Sequence, residues 1–526
     1  MIKTDLVLPY GYTHDTVKDM ISSHLPIRKD EIGEIRILKR ELTVKDGAPP
    51  TYKTSVAFSS SVDKEEGLLK IRNKVFRVEL ESFVPKQSHF EKRPVVAGAG
   101  PAGLFAALTL AESGAEPIVI ERGLDVDERA RKISLFNTLG VLDTECNVQF
   151  GEGGAGTYSD GKLKTGSKDK YKMKVLDEFI NGGADESIAY STTAHLGTDK
   201  LPGIVKTIRN KITSLGGEFI FSAKLTDVAV KDGTLVAITY EKDGESVTLE
   251  TDTLILATGH SARDTITMLK EKGVTMRAKG FGIGMRIEHP REHINRIVYR
   301  DSADLIAETA SYHLVTHLPS GRSVYSFCMC PGGQVVAATS EEGAIVTNGM
   351  SEYARMADNS NAAILVSVTP EDFGSDDPLA GIELQRRIER AAYGISESYK
   401  APSISVGSLF DGGASLSDSV KPSYPIGVCC ASPYDYFPEY IPSSIKEAMP
   451  DFDAWLPGYL CREATLTGPE TRTTSPVRIE RDTDGCAPGF FGIYPTGEGA
   501  GYAGGIVSSA TDGIHMAEKA IEKHEK

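Results

Sequence analysis

Residues 98–103 read Gly98-Ala99-Gly100-Pro101-Ala102-Gly103; an apolar run precedes them, a long apolar stretch follows, and a second apolar run ends at Glu121 and Arg122. This is the order of a strand, a glycine turn, a helix and a second strand around the pyrophosphate of a dinucleotide. Gly98 permits the tight turn, Gly100 lets backbone approach phosphate, and Gly103 lets helix pack closely on strand. The helix N-terminus offers free N–H groups and the positive end of its dipole to the phosphates. Glu121, 23 residues after Gly98, can accept hydrogen bonds from a ribose diol. In a chain with 52 glycines the alternative is a glycine-rich turn packed under a helix; the two strands, the helix and the acidic end together favour the nucleotide site.

Two further blocks say which dinucleotide. Thr253 to His260 is a short apolar strand that stops at Ala257-Thr258-Gly259, where small residues let backbone pass close to a cofactor. Phe491 to Ile506 reads as a strand, a turn holding Gly497-Glu498-Gly499, and Gly504-Gly505 before a helix that runs to the end. The three blocks together resemble the large FAD-binding superfamily, in which an opening βαβ unit, an Ala-Thr-Gly strand and a C-terminal Gly-Asp/Glu turn enclose FAD. Glu498 stands where many such enzymes carry Asp. Phe150 to Leu163, Phe327-Cys328-Met-Cys330-Pro-Gly332-Gly333-Gln334 and Glu470 to Ile479 resemble the signature stretches of a group described only as uncharacterised FAD-dependent dehydrogenases, and the likeness extends over most of the chain. It implies an FAD-binding fold with an inserted substrate domain, and no known substrate.

On that resemblance FAD supplies the redox chemistry and the protein supplies orientation and charge. Gly153, Gly154 and Gly156 bring backbone N–H groups toward the flavin, and Lys162 can stabilise negative charge on the reduced ring; a solvated glycine-rich surface loop is the other reading. Backbone near Leu225 is the expected adenine contact, with Gly497, Glu498, Gly505 and Ile506 closing the site. Arg472 and Arg478 flank a short polar segment, so either guanidinium can hold a substrate carboxylate or phosphate; ion pairs to Glu470 or Glu480 would explain them equally well. Glu470, if buried, is a candidate base. Cys328 and Cys330 invite a dithiol reading, against which stand the strain of a CxC ring and the frequency of buried structural cysteines. His260 and His289 are candidate acids or bases, or hydrogen-bonded structural histidines. The His and Cys residues show no paired spacing that implies a metal.

The elements that must position these residues fall into four segments. Residues 1–90 alternate as βαββαβ, with a helix behind Thr13 or Asp15 as its cap, a strand from Glu34 to Val44, alternation at Tyr52, Thr54, Val56 and Phe58, a helix over 63–73 and a last strand from Val75 to Leu80. That order suggests a ferredoxin-like α+β module. Residues 91–268 hold the first part of an FAD-binding Rossmann-like domain, with a glycine loop from Gly151 to Lys164. Residues 269–468 form an inserted mixed-β substrate domain, and 469–526 complete the FAD-binding domain. The fold class is α/β and α+β. Lys279 to Gly284 mimics a second fingerprint, yet the residues that follow favour a strand and Pro290 excludes a long helix, so a nicotinamide donor has no domain of its own.

A length of 526 residues suggests two or three domains; 40% hydrophobic and 25% charged residues are ordinary for a globular protein. The net charge of −15 argues against general nucleic-acid binding. Seven cysteines in no framework spacing fit reduced thiols and a cytoplasmic setting. No stretch approaches the roughly 20 apolar residues that span a bilayer. The sequence thus reads as an FAD-dependent oxidoreductase that moves a hydride between noncovalent FAD and a small organic substrate, with NADH or NADPH as donor or acceptor. A flavin-containing binding or assembly factor that engages a protein through its N-terminal module, or a flavin-dependent RNA modifier, are the alternatives.

Overall fold

The computed structural model describes residues 1–71, 73–78, 83–163 and 169–524. Its architecture is mixed α/β, with a Rossmann-like parallel sheet and an inserted β-rich unit.

Five short strands form the parallel sheet, in the order Ile493–Pro495, Leu254–Leu256, Val95–Ala97, Ile118–Glu121, Glu218–Phe221. The first four are buried along their whole length, which accounts for apolar runs without alternation, as in sheets covered on both faces. Helices Pro101–Glu112 and Ile506–Lys523 lie against one another. Their approach is so close that a Cβ on Gly513 would sit 2.1 Å from the Ala102 carbonyl oxygen. Helix Leu201–Ser214 packs on the same core. An antiparallel ribbon of Lys224–Lys231, Thr234–Lys242 and Glu245–Glu250 follows.

Past helix Arg263–Glu271 the chain leaves through strand Met276–Ala278 and returns through Val477–Ile479, and these two strands pair with each other. Between them lies a seven-stranded sheet, in the order Leu314–His317, Ser323–Cys330, Asn359–Val368, Phe281–Pro290, Thr465–Glu470, Ala401–Ser405, Val428–Cys430. Only the last pair is parallel. The stretch that mimics a second fingerprint is the central strand Phe281–Pro290, buried up to its last residue, and Pro290 caps the following helix Arg291–Tyr299. Helices Ala380–Gly394 and Tyr440–Trp455 cover this sheet.

The N-terminal segment contains strand Ile2–Pro9, helix His14–His24, strands Ile35–Lys45 and Ala48–Phe58, helix Val62–Leu69 and strand Phe76–Arg77. Thr13 caps the first helix, its Oγ1 accepting from the Thr16 N–H at 3.3 Å. The four strands are antiparallel in the order second, third, first, fourth. The second helix ends at Leu69, four residues short of the expectation, and the last strand is two residues long. Arg72, Glu79 and Leu80, which fall in those expected elements, and Lys164 at the end of the expected glycine loop lie outside the described residues. This unit is tied to the rest by backbone bonds from Arg40 N to Tyr190 O at 2.8 Å and from Thr192 N to Arg40 O at 3.1 Å. The Tyr10 and Tyr52 hydroxyls both donate to Glu308, at 2.8 and 2.5 Å. Among the described residues no helix is long and apolar enough to cross a membrane.

Candidate functional site

A cavity of about 660 Å³ lies between the parallel and seven-stranded sheets. On the parallel-sheet side its wall is made by the turn that enters helix Pro101–Glu112 and the turn that enters helix Ile506–Lys523, so two helix N-termini open onto it. Both have glycine N-caps, Gly100 and Gly505, and neither is capped by a side chain. Their first-turn N–H groups are therefore donors available to an anion. Gly98 takes φ +103°, and a Cβ there would lie 2.3 Å from the Ala257 carbonyl oxygen. A Cβ on Gly100, by contrast, would meet nothing closer than Gly154 Cα at 3.7 Å.

Of the residues expected to hold a cofactor, Gly98, Gly100, Pro101, Ala102, Glu121, Arg122, Gly154, Gly156, Leu225, Ala257, Thr258, Gly259, Glu498, Gly505 and Ile506 line the cavity. Ala99, Gly103, Gly153 and Gly497 stand behind the wall. Gly103 is there for packing, since its Cβ would fall 1.8 Å from the Gly98 carbonyl oxygen. Ala99 donates its N–H to Glu121 at 2.8 Å, and the same carboxylate accepts from Gly123 N and Gly151 N, both at 2.9 Å. A carboxylate has about four acceptor positions, so Glu121 retains room for one ribose hydroxyl rather than for both. Arg122, at the cavity's edge, is held by Asp264 and Glu145 and lies over the Phe150 ring at 4.2 Å. The donors, the glycine cradle and the acidic group fit an ADP-containing dinucleotide.

Glu498 faces the cavity with no side-chain hydrogen bond among the described residues; burial pushes its carboxyl up to about 7, with Lys279 opposing. His260 lines the same wall, and burial together with Arg472 and Arg263 holds its imidazole down at about 3, hence neutral. His289 lies outside the cavity, its Nε2 bonded to the Tyr459 carbonyl oxygen at 2.9 Å, as the structural reading has it.

The seven-stranded sheet supplies the other side. Lys162 and Arg472 line the cavity and Arg478 does not. Arg478 stacks on the Tyr502 ring at 4.1 Å, in a separate depression. Arg472 is spent on protein partners, and the glutamates expected to pair with it do not. Its guanidinium grips Glu389, from helix Ala380–Gly394, and donates to Ser261 and Ser340. It gives the wall a fixed positive charge and cannot also clamp a substrate. Glu470 is buried at the cavity and faces Arg286 at 3.3 Å; burial raises its pKa against the pull of Arg286 and Lys162. Glu480 pairs instead with Arg277, at 2.6 Å.

Cys328 and Cys330 both line the cavity; Cys328 is exposed, whereas Cys330 is buried, and burial pushes its thiol pKa up against Lys162 and Arg286. Protonated thiols are weak nucleophiles, which counts against dithiol exchange. Residues that the sequence did not single out are Asp160, Arg355 and Arg286. Only the position of Asp160 within Ser159-Asp160-Gly161-Lys162 offered a signal.

Residues 280–473, most of the inserted unit, match the family described as FAD-dependent protein, C-terminal domain-like. Among solved structures, a flavoprotein/dehydrogenase from Cytophaga hutchinsonii is 12% identical over 83% of this chain and 79% of its own, with a TM-score of 0.34. The 3-ketosteroid-delta4-(5alpha)-dehydrogenase from Rhodococcus jostii RHA1 is 14% identical over 84% and 100%, with a TM-score of 0.35. Scores this low assign no function. An uncharacterized protein of Clostridium beijerinckii is 45% identical over 518 residues, 97% of this chain and 96% of that one. At that identity along nearly the whole of both chains, this protein belongs to the same family as the Clostridium beijerinckii protein.

Proposed function

We propose that the chain is an FAD-dependent oxidoreductase that transfers a hydride between noncovalent FAD and a small organic substrate. One observation carries this reading: two uncapped helix N-termini converge, across glycines, on one cavity whose wall also holds Glu121. The description of the family matched by residues 280–473, FAD-dependent protein, points the same way. Bound FAD supplies a two-electron carrier. The N–H groups at Ala102 and Ile506 would hold its pyrophosphate, Glu121 a ribose hydroxyl, and Leu225 the adenine. Thr258, Gly259 and Glu498 would flank the chain toward the ring, and Gly154 and Gly156 would border it.

Arg472 sits in the wall as one half of a buried ion pair with Glu389, and Lys162 supplies a positive charge, unpaired among the described residues, on the substrate side. Glu470 is the buried carboxyl best placed to exchange a proton there. The segments 1–90, 91–268, 269–468 and 469–526 are proposed as a ferredoxin-like module, the two parts of the FAD domain, and a substrate domain between them.

The test is the colour and reducibility of the purified protein. It should bind about one FAD per chain, and NADH or NADPH should bleach the flavin under anaerobic conditions. Protein that stays colourless after incubation with FAD would sink the reading; a flavin that neither nucleotide reduces would move the donor to another class.

A further inference from the structure

On the seven-stranded-sheet side of the cavity stand two cations, Lys162, which has no charged partner among the described residues, and Arg355, which is paired with Asp160 but keeps an unbonded Nε. We propose that they form a subsite for the carboxylate of a small organic acid, which is the substrate of the proposed oxidoreductase. The proposal rests on the reading that FAD takes the parallel-sheet side of the same cavity.

Arg355 is only 9% exposed. Its Nη2 donates to Asp160 at 2.8 Å, while its Nε is buried with no hydrogen-bond partner among the described residues. Asp160, itself buried, also accepts from the Ser351 hydroxyl, so the arginine is oriented from behind. Its backbone is held in a conformation that non-glycine residues seldom adopt, φ +53°. The Arg355 carbonyl oxygen accepts from Thr309 Oγ1 at 3.1 Å, and Gly332 passes so near that a Cβ there would lie 1.8 Å from that oxygen. The glycines after Cys330 thus have a purpose apart from the thiols: they clasp the loop that presents Arg355. Strain kept in place by such contacts is typical of a ligand site.

Lys162 comes two residues after Asp160. Its backbone is fixed by a bridge to His195 and by the Leu163 N–H donating to the Ala194 carbonyl oxygen at 3.0 Å. Its ammonium makes no hydrogen bond or ion pair among the described residues, although Cys328, Cys330 and Glu470 all feel its charge.

Charge balance points to an anion. The cations here are Lys162, Arg355 and Arg286. Asp160 is at 2.8 Å from Arg355 and Glu470 at 3.3 Å from Arg286, so two carboxylates balance at most two of the three. A cation left over among partly buried groups is stabilised when an anion joins it, and a carboxylate bonded to guanidinium and ammonium forms the stronger, charge-assisted kind of hydrogen bond.

The test is calorimetric titration of the FAD-loaded protein with formate, acetate, propanoate, benzoate and phenylacetate, beside neutral benzamide and inorganic phosphate. At least one carboxylate should bind tighter than benzamide and phosphate by roughly tenfold or more, and Arg355→Met and Lys162→Met should each weaken it by about tenfold or more. Melting temperature and flavin content are recorded for each variant. If Arg355→Met does not fold, Arg355→Lys and Lys162→Gln carry the comparison.

The proposal is overturned if no carboxylate in the series binds, if the amide binds as well as the acid, if phosphate is preferred, or if the lysine variants bind like the parent. Protein that takes up no FAD yet still shows carboxylate binding would defeat the oxidoreductase reading alone. Flavin-loaded protein indifferent to carboxylates would defeat only the subsite.

Discussion

Arg472 and Glu389 meet in a fork closed to solvent, with Nε to Oε1 at 3.0 Å and Nη2 to Oε2 at 2.8 Å. Arg263 takes the same carboxylate from another direction, at 2.9 and 3.0 Å. Burial alone would raise the pKa of Glu389, but the two guanidiniums outweigh it and hold the carboxyl ionised. Removing one partner of a buried ion pair strands the rest, typically at about 3–5 kcal/mol. Glu389→Gln should lose stability of that order in urea unfolding; a loss under about 1 kcal/mol would contradict this account.

On the proposed reading, a change at Gly100 should separate cofactor binding from folding. Its φ of −74° suits any residue, and a side chain there meets only Gly154 Cα before entering the cavity. Gly100→Val should therefore melt close to the cofactor-free parent while its affinity for FAD falls by roughly tenfold or more. Fluorescence quenching of added FAD measures the second quantity, and retained affinity would move the pyrophosphate away from this turn.

Glu498 should leave a signature in the pH dependence of stability. Between the ordinary Glu value of about 4.3 and the elevated value of about 7, the folded chain holds a proton that the unfolded chain has released. By linkage this group makes stability fall as pH rises through that window. In thermal melts of cofactor-free protein, Glu498→Gln should match the parent near pH 4 and exceed it above pH 7. Equal melting temperatures at both ends would show that the carboxyl is not raised.

Glu308 anchors the N-terminal unit, since Tyr10 and Tyr52 both donate to it. Hydrogen bonds to a charged acceptor contribute about 1.5–3 kcal/mol each. Glu308→Ala should speed proteolytic release of an N-terminal fragment, read by gel, and leave the melting of the larger remainder unchanged. Identical cleavage rates for parent and variant would assign the docking to the Arg40 backbone bonds instead.

The parallel-sheet side of the cavity was legible in the sequence because its grammar is local. Gly98, Gly100 and Gly103 act within one turn, and the strand, helix and acid that follow are contiguous. Ala257 to Gly259 and Gly497 to Ile506 were found for the same reason. The side toward the seven-stranded sheet was not legible, since its pairs join distant parts of the chain: Arg355 meets Asp160 across 195 residues, and Arg263 meets Glu389 across 126. Arg472 shows how this misleads. Its neighbours in sequence offered Glu470 and Glu480 as partners, whereas a helix some eighty residues earlier supplies the carboxylate. No periodicity or spacing encodes such a meeting.

The chain's departure from the parallel sheet and its return are zipped together, Met276–Ala278 alongside Val477–Ile479. Both covalent passages therefore run along a single seam instead of bracing the inserted sheet at opposite margins. Any swing of that sheet that widens the cleft has to pivot on this paired seam. Molecules entering or leaving would accordingly use the margin away from it, where only noncovalent contacts have to part.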